Sequence, residues 1–83
     1  MEQSDEEKNF CTNMRSLRLL HKLSQKEMAK ALGIGLKSLR KIEAGEIPPR
    51  LSTDVLFAIH NRFGIRISNL FKPMLGLEKE LNL

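Results

Sequence analysis

The chain has 83 residues, of which 41% are hydrophobic and 29% charged, with a net charge of +4; so short a chain buries only about 60 to 65% of its unfolded surface and holds one core, hence one domain. That balance excludes wholesale disorder and a coiled-coil rod. No apolar run approaches the ~18 residues that cross a bilayer, the acidic start lacks the parts of a signal peptide, and the single cysteine, Cys11, excludes an internal disulfide. The expectation is a cytoplasmic domain stabilised by packing, away from membranes and without a cofactor.

Ser4-Asp5-Glu6-Glu7 reads as a capping box that opens a first helix and places acids at its positive end. Phe10, Met14, Leu17 and Leu20 recur at spacings of three and four, which predicts an inward stripe on a helix of about 17 residues ending near His21 or Lys22. Leu19 lies off that stripe. A second capping box, Ser24-Gln25-Lys26-Glu27, starts a short helix that ends at Leu32 before Gly33. After Gly33-Ile34-Gly35 the stripe resumes through Leu39 and Ile42 and stops at Gly45, predicting a third helix over Leu36 to Ala44. Ser52 caps a fourth helix with Leu56, Ile59 and Phe63 inward, Val55 beside them and Gly64 as terminator. A short fifth helix around Ser68 to Phe71 buries Leu70 and Phe71 before Pro73. The fold class is therefore all-α, with five helices in a domain over residues 1–73. The tail 74–83 is left to dimerisation or disorder.

Charge is distributed unevenly along this layout. Residues 1–10 carry four acids and one base, residues 11–50 three acids and nine bases, and residues 51–83 three acids and four bases. A basic middle suits a polyanion, through its long-range field and counterion release. Two short helices joined by a three-residue, glycine-containing turn have the geometry of a helix-turn-helix, here with its core at residues 24–45, whose second helix enters a DNA major groove. Counting from Gln25, a small residue falls fifth (Ala29), glycine ninth (Gly33), and branched apolars fifteenth and eighteenth (Leu39, Ile42). Ala29 allows close helix approach, Gly33 supplies a positive φ, and Leu39 with Ile42 fasten the third helix to the core. Its opposite face then displays Leu36, Lys37, Arg40 and Lys41.

The run LSQKEMAKALGIGLKSLRKIEAG, Leu23 to Gly45, resembles the Cro and lambda-repressor-like helix-turn-helix family, also called the XRE family, and the resemblance extends from about Met14 to Phe71. It implies a compact DNA-binding fold. Gln25 matches the family glutamine that hydrogen-bonds a phosphate, beside helix N-terminal amides aimed at the same backbone. Gly35, Leu36, Lys37, Arg40 and Lys41 match positions that touch base edges, Lys37 or Arg40 by donating to guanine N7 and O6. Ser38 and Arg50 are similar to phosphate contacts, and Arg18 with Glu43 matches a pair that forms a partly buried salt bridge between the first and third helices. Departures from the pattern also carry expectations. Gly35 replaces the usual serine or threonine N-cap, Leu36 replaces a polar base reader and suits a thymine methyl, Glu46 lies close to the expected backbone path, and Arg66 replaces a small cap so that the fifth helix starts late.

His21 and His60 have no acidic or cysteine partner at ligand spacing, which speaks against a metal site; His60, next to Ile59, reads as packing. Cys11 reads as a small packing residue. No nucleophile is paired with a base and no glycine loop cradles phosphate, so an enzyme is not expected. The reading is a sequence-specific regulator, a repressor that binds a palindromic operator in double-stranded DNA as a homodimer, because two half-sites add their free energies. The alternative is an antitoxin or interaction module that neutralises a partner protein such as a toxin, with contacts through Leu19, Leu20 or the tail.

Overall fold

The structure, a computed structural model, describes residues 5–47 and 53–73. Among these residues four α-helices run in order, α1 (Asp5–Leu20), α2 (Gln25–Leu32), α3 (Leu36–Glu43) and α4 (Thr53–Phe63), followed by a 3-10 turn at Ile67–Phe71. The expected fifth helix is thus a single tight turn, entered through Arg66, whose side chain makes no capping bond. The expected caps Ser4 and Ser52 lie outside the described residues.

The helix ends follow from local chemistry. At α2, Ser24 Oγ accepts from Glu27 N–H (3.0 Å), and Glu27 Oε1 accepts from Ser24 N–H (2.9 Å), so both halves of the capping box form. The backbone bond and then the hydroxyl bond from Ser24 hold the Glu27 carboxyl below its ordinary pKa. Gly33 ends α2 in the left-handed region (φ 70°), where the Ile34 N–H reaches Ala29 O (3.0 Å) and the Gly33 N–H reaches Lys30 O (3.2 Å). This is a Schellman closure, and it lets α3 restart within three residues. The same pair of bonds closes α1, from Leu23 N–H to Arg18 O and Lys22 N–H to Leu19 O, but the left-handed residue there is Lys22 (φ 55°). A side chain in that conformation costs about 1–2 kcal/mol.

A single core gathers Phe10, Met14 and Leu17 of α1, Met28, Ala29 and Leu32 of α2, Leu39 and Ile42 of α3, Val55, Ile59 and Phe63 of α4, then Ile65 and Leu70. Two expected inward residues need correction. Leu20 is 43% exposed. Each step of three residues turns a helical stripe back by about 60°, and the two successive steps from Met14 through Leu17 carry residue 20 off the buried face. His21, itself exposed in the turn after α1, lays its ring against Phe63, centroids 4.7 Å apart. In α4 the buried stripe is Val55-Ile59-Phe63 at spacings of four, and Leu56 sits on its flank, only partly covered. His60 is exposed rather than packed, with Nδ1 2.8 Å from Ile65 O.

One buried polar side chain had no signal in hydrophobic periodicity. Asn13 is fully buried, and its Nδ2 donates to Leu70 O (2.9 Å) and Lys72 O (2.7 Å), while Asn9 Nδ2 donates to Phe71 O (3.2 Å). The 3-10 turn is therefore fastened to α1 through its own carbonyls, beside the stacked rings of Phe10 and Phe71 at 5.2 Å. The Asn13 Oδ1 is buried without a hydrogen-bond partner among the described residues.

The second fastening sets α3. Arg18 Nε donates to Glu43 Oε2 (2.7 Å) and Arg18 Nη2 to Glu43 Oε1 (2.9 Å), a two-point contact, and Arg18 Nη1 donates to Leu23 O (3.1 Å). The side chains are only 14% and 5% exposed. The hydrogen bonds to Glu43 raise the Arg18 pKa despite the opposing effect of burial, so the guanidinium remains charged. Beneath it, Leu39 and Ile42 are buried to 0% and 1% exposure, each contributing about 1.5–3 kcal/mol of apolar burial.

Three outcomes are expected. Arg18→Ala and Glu43→Ala each lower unfolding free energy by about 3 kcal/mol in urea denaturation, because each strands the other charge. Lys22→Gly raises stability by about 0.5 kcal/mol and Gly33→Ala lowers it by about 1 kcal/mol, a sign difference that thermal melts will register. Because the folded Glu27 pKa is depressed, its contribution is complete above the unfolded value and disappears as pH falls through the folded one; amide exchange at the start of α2 should accelerate on that acidification in the native chain and stay flat in Glu27→Gln.

Candidate nucleic-acid interface

Helix α3 has two faces because its sequence does. At about 100° per residue, Leu39 and Ile42 point together into the core, Glu43 and Arg40 fall on the flank beside α2, and Lys37 with Lys41, one turn apart, point straight away from the core. Lys37, Arg40 and Lys41 are all exposed. Leu36 and Ser38 are half-buried, Ser38 on the opposite flank from Arg40. Arg50 lies outside the described residues.

Gly35 precedes α3 with φ −73° and ψ 153°, a conformation any residue can take, and makes no side-chain cap. A Cβ built there meets no atom within 4 Å. The position therefore offers open space at the helix start. Glu46 is exposed just beyond the C-terminal end of α3.

Four of the expected site residues are joined by hydrogen bonds. Gln25 Nε2 donates to Glu43 Oε1 (3.3 Å), and Arg40 Nε donates to Gln25 Oε1 (3.3 Å). Since a carboxylate only accepts and a guanidinium only donates, the amide can sit between them in one orientation alone. A continuous line thus runs from Arg18 through Glu43 and Gln25 to Arg40. Lys37, Lys41 and Ser38 stand apart from it. Sequence reasoning paired Arg18 with Glu43 but missed the Gln25 links, because Gln25 opens α2 at the end opposite the Gly33 turn and meets α3 only through the way the two helices cross.

A second cationic row was also missed. Lys8, Thr12 and Arg15, at spacings of four and three, share one face of α1 and, with the edge of the largely buried Cys11, line an open groove of about 390 Å³ together with Glu43, Ala44 and Gly45 at the end of α3. Of α3, the groove takes in Glu43 and Ala44 at its C-terminal end, one turn beyond Arg40 and Lys41. Among the described residues, no group of three His, Cys, Asp or Glu side chains is placed to hold a metal ion, and no helix is long and apolar enough to cross a membrane.

The match to known proteins covers the same elements. The family profile described as helix-turn-helix matches residues 14–70, from the middle of α1 to the 3-10 turn. An uncharacterised helix-turn-helix-type transcriptional regulator of Methanocaldococcus jannaschii is 37% identical over 54 residues, which cover 65% of this chain and 79% of that protein. No solved structure matches the chain. With α2, the Gly33 turn and α3 arranged as described and the match spanning all of them, the chain belongs to the XRE-type helix-turn-helix family.

Proposed function

We propose that this chain is a double-stranded-DNA-binding transcriptional regulator that acts in the cytoplasm as a repressor, docking α3 in the major groove of a palindromic operator as a homodimer. The observation that carries the reading is the two-sidedness of α3: Leu39 and Ile42 sealed in the core, with Lys37, Arg40 and Lys41 exposed on the surfaces that remain. Lys37 and Arg40 supply donors for guanine N7 and O6, Lys41 extends the same face, and Leu36 offers its exposed part to a thymine methyl. Gly35 lets the backbone approach the bases closely. Gln25 at the start of α2, Ser38 and Arg50 hold phosphates, and Lys8 and Arg15 lengthen that backbone footprint along α1. Dimerisation follows from energetics, since one eight-residue helix reads too few base pairs to discriminate, and two half-sites one DNA turn apart add their contributions.

A second reading, an antitoxin or interaction module that also engages a partner protein, is favoured by three exposed large apolar side chains: Leu19 (54%), Leu20 (43%) and Phe57 (55%). The two roles are compatible on one domain. A stoichiometric protein that co-purifies with the native chain and is lost in Leu19→Ser/Phe57→Ser would support it.

Selection of bound sequences from a random DNA pool tests the main reading: an enriched inverted repeat is expected, and no enrichment would overturn it. Against the selected site, with about eight phosphates neutralised per dimer, log K should fall with log salt at a slope near −7. Arg15→Ala should reduce that slope by about 2 per dimer with base preference unchanged, whereas Lys37→Ala should relax preference at one position of each half-site. A flat salt response, or uniform loss for Lys37→Ala, would contradict these assignments.

A further inference from the structure

We infer that Gln25 is a positioning residue for base readout, fixing which edge of the Arg40 guanidinium is presented to DNA. This rests on the DNA-binding reading above and deepens it. Arg40 carries five N–H donors in a planar fork. In the structure its Nε–H is given to Gln25 Oε1, so the side-on pair that would use Nε is already engaged. What remains for a ligand, on an exposed side chain, is the end-on pair, Nη1 and Nη2. Two parallel donors from that end match the N7 and O6 acceptors that guanine displays in the major groove.

Gln25 can hold this orientation because it is itself held. One proton of its Nε2 goes to Glu43 Oε1, and Glu43 is gripped at two points by Arg18, itself only 14% exposed. Each Gln25 bond is long at 3.3 Å, but each has a charged group as its partner, which strengthens it relative to a neutral pair. The chain of contacts thus runs from an anchored ion pair to an exposed arginine on the next helix. The second Nε2 proton is not used by this chain of bonds and suits a phosphate oxygen. One amide then joins the position of the DNA backbone to the orientation of the base reader, and Arg40 does not have to be ordered from free rotation when DNA arrives.

Sequence selection on the full chain tests this, using the native protein, Arg40→Ala, Gln25→Met and the double variant. Methionine keeps the length of the side chain, makes neither hydrogen bond and sits at a half-exposed helix start, and matching thermal melts will show that folding is retained. The native protein is expected to prefer guanine at one position of each half-site by about tenfold. Arg40→Ala abolishes that preference; Gln25→Met, with Arg40 intact, reduces it to about threefold or less at the same position and leaves the others unchanged. The double variant shows no preference loss beyond Arg40→Ala alone. In the free protein, the Arg40 Nε–H resonance should shift and exchange faster with solvent in Gln25→Met. If Gln25→Met weakens all sequences equally and keeps the full guanine preference, or leaves the Nε–H resonance unchanged, the positioning role is overturned while DNA binding stands. If Arg40→Ala retains the guanine preference, the role is overturned as well. A native protein that enriches no sequence overturns the DNA-binding reading itself.

Discussion

A helix of eight residues does not persist alone in water, because nucleation is unfavourable and two turns return too few hydrogen bonds to offset it. Helix α3 therefore exists only through its attachments: Leu39 and Ile42 in the core, the Gly33 closure before it, a like closure after it from Gly45 N–H to Ile42 O and Glu46 N–H to Lys41 O, and the Arg18–Glu43 pair on its flank. Those attachments also determine what it shows to solvent. Burying positions 39 and 42 obliges 37 and 41 to face outward, since the side-chain directions are fixed by the helical period. The cationic surface is thus a consequence of the way the helix is held.

The polar contacts have a related division of labour. Asn13 and Arg18, five residues apart on α1, reach in different directions: Asn13 to carbonyls at residues 70 and 72, and Arg18 to Glu43. One long helix thereby ties down both α3 and the 3-10 turn. Because each tie uses buried or largely buried partners, a substitution at either leaves an unsatisfied group behind, and tolerance there should be far lower than at the exposed lysines.

Much of this was legible in the sequence where the signal is local. The Ser24/Glu27 capping box, the Gly33 turn and the stop at Gly45 are written within a few residues of where they act, and the three-residue spacing of Leu39 and Ile42 set the orientation of α3. What could not be read was long-range. Nothing near Asn13 in the chain announces carbonyls 57 and 59 residues away, and hydrophobic periodicity carries no mark of a polar side chain bound there. Leu20 was misplaced because its hydrophobicity outweighed the helical period, which turns residue 20 away from the face shared by Phe10, Met14 and Leu17. The bonds from Gln25 to Glu43 and Arg40 depend on how α2 crosses α3, which composition and spacing leave open. Arg50 and the caps at Ser4 and Ser52 fall outside the described residues.

Cys11 is 4% exposed, and burial, with a smaller effect from Glu7, pushes its thiol pKa upward. A thiol both covered and protonated is a poor nucleophile toward maleimides. As it is also the chain's single cysteine, a new cysteine placed on any outer surface would carry a fluorophore or spin label selectively, with the native residue left in place. Distances across the molecule, and from it to a labelled duplex, then become measurable in an otherwise unmodified protein.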